Sequence, residues 1–511
     1  MRKEGVVGMR KEGVGMRKEA QERPAVTGRR ARMGEQELES LRAAVRGSVL
    51  VPGEPEYDQE RIGFQTGNPH RPDVIVVART PDDVQAAVDH AQRHGLPLAV
   101  QATGHGLGAA AGAGVLVSTR RMTGIRIDPT ARTAWIEAGV RAGDLVEQAA
   151  RHGLAPVNGS APGVGVVSYT LGGGVGLLGR QFGYAADRVR RIDVVTADAR
   201  LHHVTADSDP ELFWALRGGG GGFGVVTGME IELVPVERVF GGRLVFDGGQ
   251  VAEEVLRIWQ KWTESVPEEL TSAVTLLPMP DDPAVPAPLR GRYLAQVHIA
   301  FSGPSAEGER LVEPLRAIGS VLIDELRDMP YAECGSVFSE PGTPHSYRSA
   351  NALLSSDGLD ESARRSVLAA AGPSSEVMCV LSMRHLGGAF SRRPAVPNAV
   401  PHRDAGYLLY VLSPVPDDPA PGSGAGSGSG AESGVGSPSG EEVVRALHKR
   451  VLAPVGDRAL GQNANFLYGP QDWDAARSVY GEQTGARLER LKSECDPEGM
   501  FRFNLWGAGR G

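Results

Sequence analysis

The chain has 511 residues, with 54 Lys/Arg against 62 Asp/Glu for a formal charge of −8, and it is 41% hydrophobic and 23% charged. At roughly 100–200 residues per domain this is too long for one ordinary core, and the acidic balance argues against nucleic-acid binding, which needs a concentrated basic surface. No uninterrupted apolar run of about 18 residues occurs, so a membrane-spanning helix is not expected, and the composition is that of a folded chain.

Taken in chain order, the first 33 residues repeat MRKEGVVG, MRKEGVG and MRKEA from Met1, Met9 and Met16, with ten Lys/Arg and four Glu. No apolar stretch follows these charges, so the segment is not a secretory signal. Residues 1–34 are expected to be a disordered basic leader and residues 35–67 a lead-in helix. Residues 73–78 (DVIVVA) form a β-branched apolar run, hence a buried strand. TPDDVQAAVDHAQRHG then carries helix signals: Thr80 or Asp82 to cap, Pro81 for the first turn and Gly95 to stop. LPLAVQATG and WIEAGV read as strands, GDLVEQAARHGL as a helix, residues 192–204 as two strands about a turn, and DPELFWALRG as a short helix. FGVVTGMEIELVPV alternates as a strand that ends at Pro235. Residues 68–238 therefore read as one unit.

Residues 239–460 have another texture. LRIWQKWTESV and GERLVEPLRAIG are amphipathic, whereas AQVHIAFSG, EVMCVLSMRHLGG and AGYLLYVLSPV are strand-like. This pattern predicts an antiparallel sheet with helices on one face. The Gly/Ser tract at 421–440 is expected to be a disordered solvent loop. Near the end, a helix should stop at Asp496-Pro497 before an extended tail. Cys334, Cys379 and Cys495 are too widely spaced for a zinc motif or a disulfide framework, which suits a cytoplasmic location and no metal.

Glycine makes up 68 of the 511 residues, and much of it lies in tight loops where backbone N–H groups can approach an anion. QATGHGLGAAAGAG (101–114) sets His105 between two glycines directly after a strand; a structural histidine usually sits among larger neighbours. NGSAPGVGVVSYTLGGGVGLLGRQFG (158–183) presents a run wide enough for a pyrophosphate. No long helix follows it, so a Rossmann fingerprint is rejected. RGGGGGFGVVTG (217–228) leads into a strand and is anchored by Phe213 and Trp214. Nucleophile-elbow, Walker and kinase signatures are lacking; a hydrolase pairing Ser160 or Ser168 with His105 is the weaker alternative.

These three loops in this order resemble the FAD-binding domain of the vanillyl-alcohol-oxidase, or PCMH, type. Over about residues 60–511 the chain resembles the berberine-bridge-enzyme-like oxidases of actinobacterial type. The resemblance implies an α+β fold: a two-part PCMH-type FAD-binding domain at 68–238, a substrate domain at 239–460, and a C-terminal segment, 461–511, that returns to the flavin. It places FAD on loops 102–108, 161–176 and 219–226. The first loop would contribute Thr103, Gly104, His105, Gly106 and Leu107. The second would contribute Ala161, Val164, Gly165, Ser168, Tyr169, Gly173, Gly174 and Gly176. Asp187 and Val195 fall along the adenine end, Gly222, Phe223, Gly224 and Val226 in the third loop, and Asn504 in the C-terminal return.

By the same resemblance, His105 carries a covalent bond to the flavin 8α-methyl group. Ala161 stands where many relatives have a second linking cysteine, so a single link is expected. Val164 matches a position where valine leaves room for O₂. The implied reaction takes hydride from a C–H of a small-molecule alcohol or related metabolite, with O₂ as acceptor and hydrogen peroxide as product. A dehydrogenase with another acceptor and a non-catalytic flavin-binding protein are the alternatives. The family's catalytic tyrosine reads Phe466 here, and phenylalanine cannot take a proton. Tyr468, Tyr410, Tyr407 and His385 are therefore the candidate bases, with Tyr468 first, Tyr410 second and His385 serving if its pKa stays near neutral. Tyr468 comes first because i and i+2 share a face of a strand. A cationic neighbour such as Arg384 or Arg403 would help a tyrosine ionise.

Overall fold

The computed structural model describes residues 33–106, 108–416, 439–469 and 473–505. The expected basic leader up to residue 32, Leu107 and the Gly/Ser tract up to 438 lie outside the described residues; Gly34, placed by the sequence reading in the leader, stands at the N-cap of the helix Glu35–Ala44. Ser439 and Gly440, placed by the sequence reading in that tract, instead cap and begin the helix Gly440–Leu452.

Among the described residues the chain forms three sheets. In the first, Val74–Val77 and Leu98–Gln101 flank Val115–Ser118 in parallel, and Ser48–Leu50 adds antiparallel to Val74–Val77. Residues 35–67 thus hold more than the expected helix: Glu35–Ala44 is followed by this edge strand and by the short helix Tyr57–Arg61. Every residue of Val74–Val77 is buried, as the unbroken apolar run requires for a strand covered on both faces. Helix Pro81–Arg93 covers one face with Val84, Ala87, Val88 and Ala91. Its start follows the sequence signals: Thr80 Oγ1 accepts from the Asp83 amide at 3.3 Å, with Pro81 in the first turn. The wholly buried Asp83 carboxylate accepts from the Arg46, Arg79 and Thr80 amides at 2.7, 2.8 and 3.2 Å, which offsets its desolvation.

The second sheet is antiparallel, in the order Ile125–Asp128, Thr133–Glu137, Val225–Glu232, Val189–Val195, Leu201–Val204. Both expected strands about the 196–200 turn are present.

The third sheet has eight strands, also antiparallel, and carries helices Gly248–Thr263, Ser305–Arg316, Glu361–Ala371 and Gly440–Leu452. These helices and the sheet share one core around Trp259, Leu256, Val367 and Leu447. The strands Arg238–Asp247, Leu270–Pro278, Val321–Asp324, Arg327–Pro330 and Tyr347–Leu354 were not read from the sequence; they complete the sheet. Strand alternation then decides what faces the other domain. Tyr407, Leu409, Val411, Leu381 and Met383 point into the helix-side core. Leu408, Tyr410, Ser382 and Arg384 lie on the opposite face, with Ser382 paired to Tyr410 and Arg384 to Leu408.

Several histidines are buried without charge. Burial lowers His70 and His448 to about 4 and His298 and His385 to about 3. Their folded pKa values lie below the ordinary 6.5, so the folded state resists protonation. Above pH ~6.5 both states are neutral and nothing is lost; below it the unfolded chain takes up protons that the folded chain does not. The thermal midpoint is therefore expected to fall progressively from about pH 6.5 to pH 4. A midpoint that stays level across that window in a pH series of melting curves would contradict this.

Candidate active site

The two glycine-loop sheets and the polar face of the eight-stranded sheet enclose a cleft of about 400 Å³. The strand Leu98–Gln101 delivers the loop 102–106 to it, the turn before helix Val166–Leu171 delivers Ala161 and Val164, and loop 219–224 closes one end. Thr103, Gly104, His105, Gly106, Ala161, Val164, Ser168, Tyr169, Gly222, Gly224, Val226 and Asn504 all line the cleft. Tyr410 and Tyr468 line it as well.

His105 is held on three sides. Its ring stacks on Phe64 with centroids 4.0 Å apart and planes 9° apart. Its Nδ1 is 2.9 Å from Thr103 Oγ1, and its carbonyl accepts from the Tyr347 hydroxyl at 2.8 Å. Burial first, then Arg141 and His345, lowers its pKa to about 4, so the imidazole is neutral at pH 7. Phe64 was not read from the sequence, because nothing in the motif names a partner about forty residues upstream.

Glycine does two different jobs here. In loop 218–224, Gly218, Gly220, Gly222 and Gly224 have φ of 106°, 77°, 117° and 149°, so alternate residues adopt a conformation that side chains disfavour. The Gly218, Gly219 and Gly220 N–H groups are spent on the Leu171, Ala215 and Leu171 carbonyls at 3.1, 2.9 and 2.8 Å, so the loop is pinned in place and brings bare glycine backbone to the cleft wall. The stretch 172–176 is different. Gly174 N–H is spent on Asn465 Oδ1 at 2.8 Å, and the Gly173 and Gly174 carbonyls accept from Ala186 and Ala185 at 2.9 and 3.1 Å. A Cβ at Gly176 would lie 2.6 Å from the Asn158 carbonyl oxygen. Gly173, Gly174 and Gly176 therefore tighten the loop and do not line the cleft; Gly172 does.

Other expected contacts are also placed elsewhere. Gly165 caps helix Val166–Leu171 and gives its amide to Thr103 Oγ1 at 3.3 Å. Asp187 is captured by Arg403 at 2.5 Å and by Asn398 at 2.7 Å, which takes both groups out of the cleft. Val195 and Phe223 are fully buried in core packing. His385 points to the helix side of its strand, stacks on Tyr407 at 5.6 Å and meets Arg180 through Nε2 at 2.9 Å. With its pKa lowered to about 3 by burial and Arg180, it is neither in the cleft nor basic. Arg403, beside Asp187, does not face either tyrosine candidate; Arg384 does.

Among the described residues the charged side chains that line the cleft are Arg384 and Glu340. Arg384 is buried at 6% exposure, donates to Ser160 Oγ at 3.1 Å and stands 3.7 Å from Glu340. Ser160 Oγ bridges the pair by donating to Glu340 at 2.5 Å. The guanidinium lies over the rings of Phe338, Phe466 and Tyr410 at 4.4, 5.1 and 5.7 Å. Burial pulls its pKa down, but Tyr410 and Glu340 outweigh that and raise it, so it is a permanent cation facing Tyr410.

The order of the tyrosines changes. Phe466 sits in the 3₁₀ turn Ala464–Phe466, not in a strand, so the shared-face argument for Tyr468 does not apply. Tyr468 stands beside the His105 loop, where a Cβ on Gly106 would meet its ring at 3.8 Å. Burial first, then Tyr347 and Glu340, raises its pKa well above 10. Tyr410 packs on Phe466 at 5.0 Å and has the cation at hand.

The residues present fit a flavin nucleotide. Gln101 Oε1, Tyr169 OH and Arg384 Nε are buried at the cleft wall with no protein partner. The glycine backbone that lines the cleft at Gly219–Gly222 and Gly224 leaves room for a pyrophosphate to approach closely, and the apolar remainder suits flat rings. Among the described residues no cysteine lines the cleft. Cys334 and Cys379 are buried, with their thiols pushed up to about 11.

Comparison with known proteins agrees with this geometry. Residues 72–205 match the family described as FAD binding domain. The chain is 28% identical over 478 residues to the (R)-6-hydroxynicotine oxidase of Paenarthrobacter nicotinovorans, covering 90% of this chain and 96% of that protein. It is 27% identical over 466 residues to an uncharacterized FAD-linked oxidoreductase of Bacillus subtilis (strain 168), covering 89% and 96%. The crystal structure of 6-hydroxy-D-nicotine oxidase from Arthrobacter nicotinovorans superposes with a TM-score of 0.74 at 26% identity, over 90% of this chain and 97% of that one. A xylooligosaccharide oxidase from Myceliophthora thermophila C1 shares the fold, with a TM-score of 0.76 at 20% identity over 92% and 98%. Among the described residues no helix is long and apolar enough to cross a membrane. With an FAD-binding domain at 72–205, an α+β architecture and a cleft between its two halves, the chain is similar over most of its length to FAD-linked oxidoreductases.

Proposed function

We propose that this enzyme is an oxidase that takes hydride from a C–H of a small-molecule alcohol or related metabolite, with O₂ as electron acceptor and hydrogen peroxide as product. The observation that carries this reading is the pairing of Tyr410 with the buried cation Arg384 on the substrate side of the same cleft that holds His105. FAD bound in the cleft supplies the two-electron hydride acceptor. Loop 218–224 and the residues around Thr103 and Val164 hold it, and His105 is its single covalent attachment, with Ala161 offering no thiol for a second. Tyr410 accepts the substrate O–H or N–H proton, with the Arg384 guanidinium facing its ring. Glu340 and Ser160 fix the guanidinium, and the rings of Phe466 and Tyr468 shield the reacting end from water. Val164, on the cleft wall, leaves O₂ space. The fully matched 6-hydroxynicotine oxidase supports an oxidase over a dehydrogenase.

The test is a panel of primary and secondary alcohols and hydroxylated heteroaromatic amines, with peroxide and oxygen followed together. Oxygen consumed and peroxide formed in equal amounts with one panel member support the proposal. Anaerobic flavin bleaching by a substrate that gives no peroxide on admitting air, but does reduce a dye acceptor, would overturn the oxidase assignment.

A further inference from the structure

Ser160 and Glu340 hold Arg384 from the cleft side, and the sheet register shows what stands behind it. Arg384 pairs with Ala273, and Ala273 pairs with His298, so the three side chains form one row across three strands on the face that meets the FAD-binding half. Thr271, two residues before Ala273, shares that face. With strands about 4.8 Å apart, the His298 and Arg384 side chains start roughly 10 Å from each other, and the Ala273 methyl fills little of the gap. The hollow left there has Thr271, Ala273, His298, Phe338 and Arg384 in its wall, and Arg384 lines both it and the cleft. It offers about 10 Å³ to the centre of a water molecule, which is room for one.

Three residues of that wall carry a buried polar atom with no partner among the described residues: Thr271 Oγ1, His298 Nε2 and Arg384 Nε. His298 and Arg384 are 2% and 6% exposed. Their hydrogen-bonding roles follow from chemistry. His298 Nδ1 lies 2.9 Å from the Val337 carbonyl oxygen, which can only accept, so in the neutral ring Nδ1 carries the hydrogen and Nε2 offers a lone pair. Burial keeps that ring neutral, with its pKa lowered to about 3. Arg384 Nε–H can only donate, and Thr271 Oγ1 can do either. One water satisfies all three: it accepts from Arg384, donates to His298 and makes its third bond with Thr271, the usual number for a buried water. A halide ion does not suit, because His298 would face it with a lone pair. The His298 ring is itself held, stacked on Phe338 with centroids 4.2 Å apart, and the Arg384 guanidinium lies over the same Phe338 ring at 4.4 Å.

We propose that this hollow is a one-water site, and that His298 is a positioning residue that holds the Arg384 guanidinium against Tyr410 through that water. Its part in the reaction rests on the Tyr410–Arg384 reading above; the site itself does not. Without Nε2 the water loses the group it donates to, and the Nε edge of the guanidinium loses its anchor. The planar group is then free to turn away from Tyr410.

The experiment takes crystals and anaerobic flavin reduction of the full-length, flavin-loaded wild type, His298→Phe, His298→Gln and Ala273→Val. Phe keeps a ring on Phe338 but accepts no hydrogen bond, and Gln puts an acceptor back near Nε2. Ala273→Val fills the hollow with carbon and leaves His298 in place, so it carries the test if His298→Phe does not fold. Wild type should show one ordered water bonded to His298 Nε2 and Arg384 Nε, with the guanidinium in one conformer. His298→Phe and Ala273→Val should lose the water and show the guanidinium displaced or split, and Gln should restore both. With the alcohol or amine of the panel above that reduces wild type fastest, Phe and Val should slow reduction roughly 10–100-fold at similar melting temperatures, as expected for a group misplaced by about an ångström, and Gln should recover most of the rate. A wild-type crystal without that water, or a guanidinium that keeps its place in both His298→Phe and Ala273→Val, overturns the proposal. So does reduction by both variants at the wild-type rate while Arg384→Met is slow, which leaves the Tyr410–Arg384 reading intact. If no panel member reduces wild type, the reaction proposed above fails, and the crystals alone decide the water and the guanidinium.

Discussion

Replacing Tyr410 with phenylalanine is expected to slow anaerobic flavin reduction by substrate about 10²–10⁴-fold, the usual loss when a positioned base is removed. Flavin content and the thermal midpoint should stay close to wild type, because the ring that packs on Phe466 at 5.0 Å remains. Arg384→Met should slow the same step, since the buried cation that faces Tyr410 at 5.7 Å is gone. Tyr468→Phe should have a smaller effect, because burial already raises that phenol and it stands beside the His105 loop. Stopped-flow bleaching of the three variants checks this. A Tyr410→Phe enzyme that reduces at the wild-type rate while Tyr468→Phe does not would restore Tyr468 to first place.

The second large effect is expected at Gly172. Its backbone, at φ −82° and ψ 2°, would tolerate a side chain. Space forbids one: a Cβ would sit 2.6 Å from Asn465 Nδ2 and 3.1 Å from its Cγ. Asn465 holds the glycine loop by accepting from Gly174 N–H at 2.8 Å and donating to the Tyr169 carbonyl at 3.0 Å. Gly172→Val displaces it and forfeits both bonds. At about 1 kcal/mol each this amounts to roughly 10–100-fold in FAD affinity. The measurement is an FAD titration in a His105→Ala background, where binding is reversible, and an unchanged Kd would show that Asn465 and the loop are not coupled.

What the sequence disclosed and what it withheld follow from the range of the interactions involved. Helix Pro81–Arg93 was legible because its cap, first-turn proline and terminating glycine are local. That His105 reaches the cleft was legible for the same reason: its flanking glycines sit in the same loop. Asp187 was misplaced because its carboxylate is taken by Arg403, 216 residues away, a pairing that no local pattern encodes. The glycines at 173–176 were misplaced likewise, since Asn465 reaches Gly174 across 291 residues. Period-two alternation on 380–385 puts Arg384 and His385 on opposite faces, but only the pairing with 407–414 tells which face meets the cleft. Phe64 and Glu340 gave no signal at all, being single residues brought to the site by the assembled sheets.

The central claim is that the cleft holds one FAD. It is tested most directly by releasing and counting the flavin of the purified full-length protein, after a titration of any apoprotein with micromolar FAD. The account predicts one FAD per chain, with the yellow colour staying in the acid-precipitated pellet. Protein that is colourless as purified, and whose absorbance and tryptophan fluorescence do not change on adding FAD, would contradict it.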